Sequence, residues 1–544
     1  MPRMTGGEAL VRTLVRAGVE VIFGLPGVQM YGLTVAIRDE PGIRMITPRS
    51  EGALTYMADG YSRVGNRIAP VMVVPGPGVY NASGGLATAY SVSSRVMLIA
   101  GQTPRDTIGG NTGALHEVND QLDTIRPITK WQGRILQVRD VPGIVAEAVR
   151  QLNSGRPRPV YIDLPPEVML GLDDVEIPEH APVERITPPD SEIESAARLI
   201  AGASNPMIYA GSGVHISEAH DELQSLAETF HLPVRTSRGG KGTISADHPL
   251  HLGSVGPGWL RDGGFTDPDV VLAVGTRAAQ GFFEESTQVI QIDADPDEIG
   301  RFHENTMPLV GDARSTLSKL HDALGDTTAA GRRPPEEAVR GVKEFLKKPD
   351  LRTEPQDSFN NAVRDAVPDH GIVIYGMTQL GYYGRSFYPA RKPRTYIDSG
   401  YSGNLGFAYP TALGARLAAP DVPVVCISGD GGFGYHSPEM ASAMKYGINV
   451  VLVVFNDNAY GNVARDLDAE FGGQYESDLH NPDYVRLAKA YGLESTQVKE
   501  PSDLTVAIKD MIDRDAPALI EVPVGRWPRP AGMSQRPAWA TPQT

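Results

Sequence analysis

The stretch Ile427-Ser428-Gly429-Asp430-Gly431-Gly432-Phe433 has the residue types of a turn that holds an anion through a cation. Glycines let backbone N–H groups approach phosphate oxygens, and a carboxylate such as Asp430 binds a hard divalent ion. Gly-Asp-Gly alone occurs in many turns. Here the next apolar run ends, 26 residues after Asp430, in Asn456-Asp457-Asn458-Ala459-Tyr460-Gly461, a second set of oxygen ligands. Adjacent parallel strands place their carboxyl ends side by side, so two such turns can converge on one Mg²⁺ carrying a diphosphate. A further reactive group is His116 in Gly113-Ala114-Leu115-His116-Glu117. An imidazole titrating near neutrality can pass protons to a carbonyl or alkoxide. The competing reading is a loop histidine paired with Glu117 or Asp120. His436 and Glu439 have the spacing of a metal pair, but lacking a third ligand nearby they read as surface or interface residues.

Such turns need strands behind them. Apolar runs recur at 19–23, 71–74, 96–100, 160–162, 206–210, 270–274, 289–292, 372–375, 422–427, 450–455 and 518–522, each followed by Gly or Pro and then helical spacing. Continuous rather than alternating hydrophobicity is the pattern of parallel strands covered by helices on both faces. The fold class expected is α/β, with three doubly wound parallel-sheet domains. Pro-rich acidic stretches at 165–190 and 327–355 read as extended linkers. They divide the 544 residues into units at 1–175, 190–330 and 355–530, with a C-terminal tail at 531–544. Residues from Gly525 onward read as irregular, with a disordered end. A first helix over 8–17 has Thr5 as its cap.

The balance of 50 Lys plus Arg against 66 Asp plus Glu gives a net charge of −16. That excludes nucleic acid and an anionic membrane surface as partners, though not one small anionic ligand. Cys426 is the single cysteine, so no intramolecular disulfide forms. The start lacks a signal-peptide core and no apolar run approaches the roughly 18 residues that span a bilayer. A soluble cytoplasmic protein is expected.

On the paired turns the chain resembles the thiamine-diphosphate-dependent enzymes, whose signature is Gly-Asp-Gly followed at this spacing by Asn-Asn. Asp457 stands where the second Asn is usual. The resemblance implies thiamine diphosphate as cofactor, Mg²⁺ held by Asp430, the Asp457 side chain and the Ala459 carbonyl, and Gly429, Gly431 and Tyr460 beside the diphosphate. Phe23-Gly24-Leu25-Pro26-Gly27 and Arg49-Ser50-Glu51-Gly52-Ala53 are similar to the acetolactate synthase branch. There Glu51 would hydrogen-bond the aminopyrimidine ring and promote loss of the thiazolium C2 proton. In isolation Glu51 reads as an acidic residue at the positive end of a helix. In Ser399-Gly400-Tyr401-Ser402-Gly403-Asn404-Leu405-Gly406 the resemblance makes Leu405 the apolar wedge that bends the cofactor, with Gly403 close to it. Periodicity alone would make Leu405 a core residue. Gly376 and Thr378 correspond to diphosphate contacts.

The likeness extends through Tyr209-Ala210-Gly211-Ser212-Gly213 and so over essentially the whole chain, as pyrimidine-binding, middle and diphosphate-binding domains. Acetolactate synthases bind FAD in the middle domain. The segment expected after Gly275-Thr276-Arg277 is replaced by Ala278-Ala279-Gln280-Gly281, which puts FAD in doubt. Leu115-His116 replaces the usual Phe-Gln. Val28 and Gln29 stand where pyruvate decarboxylases carry Asp, Val463 where they carry Glu, and Asp466 where acetohydroxyacid synthases carry Trp. The function implied is decarboxylation or carboligation of a small 2-oxo acid. Rival readings are a 2-hydroxyacyl-CoA or oxalyl-CoA lyase, and a non-catalytic structural or regulatory homologue. The family further implies a homodimer or homotetramer, Glu51 of one subunit facing Asp430 and Leu405 of another.

Overall fold

A computed structural model describes residues 2–281, 283–325 and 334–533. Three six-stranded sheets, parallel throughout, form the centres of three α/β units. The first runs, edge to edge, Arg44–Ile46, Val21–Gly24, Ala69–Val73, Val96–Gly101, Val160–Leu164, Trp131–Arg134. The third runs Tyr396–Ile397, Ile372–Tyr375, Val424–Gly429, Val450–Asn456, Ala518–Pro523, Glu494–Gln497. Numbered along the chain within each unit, both have the order 2-1-3-4-6-5, whereas the middle sheet has 3-2-1-4-5-6.

That order fixes where ligands can bind. The strand order reverses between the first and third strands of each outer sheet, and the crevice beyond the carboxyl ends at such a switch point is the ligand position of open α/β sheets. In the third sheet these ends carry Gly376 to Thr378 and Gly429 to Gly431. In the first they carry Gly24 to Gln29 and Val74 to Gly76.

Eleven of the twelve interior strands coincide with the continuous apolar runs. Val234–Thr236 and all six edge strands have no such run. An edge strand has one neighbour and a partly solvated face, so mixed sequences such as Trp131–Arg134 and Glu494–Gln497 serve there. The first helix, Gly6–Arg16, is capped by Thr5 in a reciprocal box with Glu8.

Both expected linkers contain structure. Residues 165–190 include the helix Pro166–Leu170 and the strand Leu172–Asp174, which pairs antiparallel with Arg3–Thr5. The 327–355 stretch includes the helix Pro335–Phe345, whose Val339 and Val342 are buried in the middle unit; helical spacing there was obscured by the prolines. The tail is likewise ordered as far as it is described. Residues 524–533 form no helix or strand, yet Trp527 is buried, stacked on Phe359 and edge-on to Phe455. Of the expected tail at 531–544, residues 534–544 lie outside the described residues.

Candidate active site

The cation turn forms as its spacing requires. Val424–Gly429 and Val450–Asn456 are neighbours in parallel register, with Gly429 opposite Phe455, so Asp430 and the 456–461 turn leave the sheet together. Asp430 is buried, and Asn481 donates to its Oδ2 at 2.6 Å. The same Asn481 amide reaches Asn456 Oδ1 at 3.1 Å and Asn458 Oδ1 at 3.3 Å, and Asn458 takes the left-handed conformation with φ 53°. Burial, and then the neighbouring Asp430 charge, push the Asp457 carboxyl up to about 7; burial also raises Asp430. Two partly desolvated carboxyls that repel one another are the electrostatic condition a divalent cation relieves. Among the described residues no group of three or more His, Cys, Asp or Glu is arranged to hold a metal ion. The donors here are two carboxylates with amide and backbone oxygens, a hard set that suits Mg²⁺ sharing its shell with phosphate and water.

The rest of this half surrounds the turn. A Cβ on Gly431 would lie 2.8 Å from the Tyr460 ring, and one on Gly429 3.4 Å from Thr378 Cγ2. Thr378 is buried and caps the helix Gln379–Phe387, its Oγ1 accepting from the Gly381 N–H at 2.7 Å. Gly376 donates to the Ile427 carbonyl at 2.7 Å and carries no side chain into the crevice. Leu405 sits in the 399–407 turn, its Cδ2 4.0 Å from where a Cβ on Gly432 would be; Gly403 and Gly406 have φ 61° and 83°. Leu405 is thus beside the Asp-Gly-Gly turn and half-buried, not in the core.

Glu51 and His116 belong to the first unit. Glu51 opens the helix Glu51–Gly65, capped by Ser50, and its Oε2 accepts from Asn81 Nδ2 at 3.2 Å. His116 has φ 65°, and its carbonyl lies 2.5 Å from where a Cβ on Gly76 would be, with Gln29 Nε2 donating to the adjacent Leu115 carbonyl at 3.0 Å. This puts His116 at the switch point of the first sheet. Among the described residues no hydrogen bond joins His116 to Glu117 or Asp120. Glu117 accepts from the Thr112 and Ala114 N–H groups, which hold its carboxyl low, and Asp120 caps Asp123. His116 Nδ1 is buried without a partner.

Among the described residues no hydrogen bond or ion pair joins Glu51 to the Asp430 turn of the same chain. The two halves are nevertheless locked: Asn404 donates to Tyr56 Oη, Thr88 donates to Asn404 Oδ1 at 3.0 Å, and the Tyr56 ring meets the His436 ring edge-on at 5.6 Å. Glu439, expected at the surface or an interface, is buried where the first and third units meet; its carboxylate accepts from the Arg49 N–H at 3.0 Å and from Ser442 at 2.6 Å, and burial raises it. It holds the backbone that leads into Glu51. Sequence reasoning also missed Asn481 and Asn81, which stand in no motif, and Gln379, which directly follows Thr378.

Three family models cover the units in order: the N-terminal thiamine pyrophosphate binding domain at residues 4–124, the central domain at 193–320 and the C-terminal binding domain at 376–522. The chain belongs to the thiamine pyrophosphate enzyme family, in its acetolactate synthase-like branch. It is 33% identical to a probable acetolactate synthase large subunit of Methanocaldococcus jannaschii over 95% of this chain and 92% of that one. Acetolactate synthase isozyme 3 large subunit of Escherichia coli is 30% identical over 94% and 93%. A probable 2-ketoarginine decarboxylase of Pseudomonas aeruginosa is 33% identical over 94% and 91%. As a member of this family the chain is a thiamine-diphosphate-dependent enzyme that cleaves or forms a C–C bond beside a carbonyl. No described helix is long and apolar enough to cross a membrane.

Proposed function

We propose that this enzyme decarboxylates a small 2-oxo acid and either protonates the product or joins it to a second carbonyl. The observation that carries the reading is the meeting of Asp430 and Asp457 at the ends of adjacent strands, with Leu405 beside them. Asp430, Asp457 and the Ala459 carbonyl would hold Mg²⁺, and Gly376, Thr378, Gly403, Gly429, Gly431 and Tyr460 would line the place of the diphosphate. Thiamine diphosphate, when bound, supplies the electron sink for the carbanion left by C–C cleavage. Asn81 orients Glu51 through Oε2, leaving the other carboxyl oxygen to hold or release a proton. His116, with an unpartnered Nδ1, moves protons at the substrate oxygen.

The site is completed by a second copy of the chain. Glu51 and His116 lie among exposed Val28, Tyr31, Tyr80 and Leu115, and the cation turn among exposed Tyr435, Val463, Phe471 and Tyr475. Two apolar surfaces, one at each half-site, are the arrangement an isologous dimer covers. Asp466 accepts from Arg529 at 2.8 Å, so a polar pair tied to the tail stands where a tryptophan wall was the alternative. That, with the 2-ketoarginine decarboxylase relative, favours plain decarboxylation of a 2-oxo acid larger than pyruvate.

We assign no flavin: in the replaced segment Ala278 is buried in the core, and the Gly281 carbonyl is taken by Arg235 at 2.8 Å. The units at 1–175, 190–330 and 355–530 act as pyrimidine-side, middle and diphosphate-side domains of a cytoplasmic enzyme. A panel of 2-oxo acids scored for CO₂ and carboligation products, with Glu51→Gln as control, tests the function. Turnover unaffected by that substitution would refute it, and failure to bind thiamine diphosphate with Mg²⁺ would leave only a structural role.

A further inference from the structure

Gln379 stands between the cation turn and the C-terminal segment, and each end of its amide is fixed by a different partner. Its Oε1 accepts from the Trp527 backbone N–H at 2.7 Å. Its Nε2 donates to Asp457 Oδ2 at 2.9 Å and approaches the Gly525 carbonyl at 3.3 Å. A flipped amide would set N–H against N–H at Trp527 and oxygen against the Asp457 carboxylate, so one orientation alone is satisfied. The donor end must face residue 457. Trp527 cannot easily move away: it is buried and stacked on Phe359, and the flanking chain is tied down by Gln356 on the Pro528 carbonyl and Thr353 on the Ala531 N–H. Gly461 leaves the space for this meeting, since a Cβ there would lie 2.0 Å from Asp457 Oδ2 and 3.2 Å from Gln379 Nε2.

We propose that Gln379, locked by the Gly525–Trp527 backbone, is a positioning residue matched to the carboxylate that the chain carries at 457, where the family signature has Asn. A carboxylate that offers one oxygen to Gln379 would keep the other for Mg²⁺. Asparagine at 457 would have to serve both partners with a single oxygen: turning its carbonyl fully to the cation points its NH₂ at the NH₂ of Gln379, and turning it fully to Gln379 points its NH₂ at the cation. The inference rests on the assignment of Mg²⁺ and thiamine diphosphate to this site.

The test is a reciprocal exchange read by calorimetric titration of Mg²⁺ in the presence of thiamine diphosphate, with thermal midpoints recorded for every variant. Asp457→Asn and Gln379→Glu each mismatch the pair, as donor against donor and acceptor against acceptor, and each should weaken Mg²⁺ about 10- to 100-fold, the usual effect of disturbing a ligand's support. The double variant restores one donor and one acceptor, while the carboxylate introduced at position 379 still accepts from the Trp527 N–H. Its affinity should return to within about threefold of the parent. Losses that simply multiply in the double variant would overturn the proposal, as would an undiminished single variant. A parent enzyme that binds neither Mg²⁺ nor thiamine diphosphate would instead refute the functional assignment beneath it.

Discussion

Gly414 meets Met57 with no room for a side chain: a Cβ at Gly414 would lie 1.8 Å from the Met57 carbonyl oxygen. The relation is reciprocated by Gly60, where a Cβ would lie 2.0 Å from the Thr411 carbonyl. The helices Glu51–Gly65 and Ala408–Ala418 therefore touch backbone to backbone, and one apolar core runs through the first and third units. Glu51 begins one of these helices and the Leu405 turn leads into the other. Domain docking and site geometry thus depend on the same contact.

Gly414→Ala should therefore disturb both. Overpacking a close contact costs about 1–3 kcal/mol, and here the opposing atom is backbone, which cannot rotate away. Urea unfolding should show a loss toward the upper end of that range. Unchanged stability would mean that the helices are not in backbone contact.

Glu51→Gln keeps the size and the contact with Asn81 but holds no transferable proton. Turnover should fall about 10²- to 10⁴-fold, the range of a lost acid-base group. Calorimetry should find thiamine diphosphate and Mg²⁺ bound much as in the parent.

Chelation followed by dialysis should abolish activity, and Mg²⁺ should restore it. Asp430→Ala removes a buried carboxylate that Asn481 orients, so it should not be rescued by added Mg²⁺ at concentrations about 100-fold above those saturating the parent. Full rescue would move the cation elsewhere.

His116→Ala should lower kcat about 100-fold or more with cofactor affinity retained. The histidine backbone fills the space beside Gly76, and that contact survives the truncation. A rise in KM alone would make His116 a shape element of the loop.

Lys241 gives a pH signature of the interface between the middle and third units. It is buried, donates to the Arg385 carbonyl at 3.0 Å, and burial lowers it to about 7. Because the folded value lies below that of the unfolded chain, stability from this group is present above about pH 10 and is lost as pH falls toward 7. Lys241→Met removes that loss, so its stability relative to the parent should rise by about 2 kcal/mol between pH 9 and pH 7 in urea titrations. A pH-independent difference would show that Lys241 stays charged in the fold.

The sequence by itself determined the α/β class and the pair of turns at Asp430 and Asn456, because strands buried on both faces need unbroken apolar runs and a cation turn needs adjacent glycines and oxygen ligands. The edge strands were hidden, since a partly solvated strand carries no such run. Tertiary structure alone decided what surrounds the turns. Asn481 reaches Asp430 from an irregular segment, Glu439 is buried beneath Arg49, and Gln379 links Asp457 to a tail that reads as loose. Each of these contacts joins residues far apart in the chain or in different units, where neither spacing nor periodicity carries a signal. It also decided that His116 bonds neither acid beside it, those carboxylates facing backbone N–H groups instead.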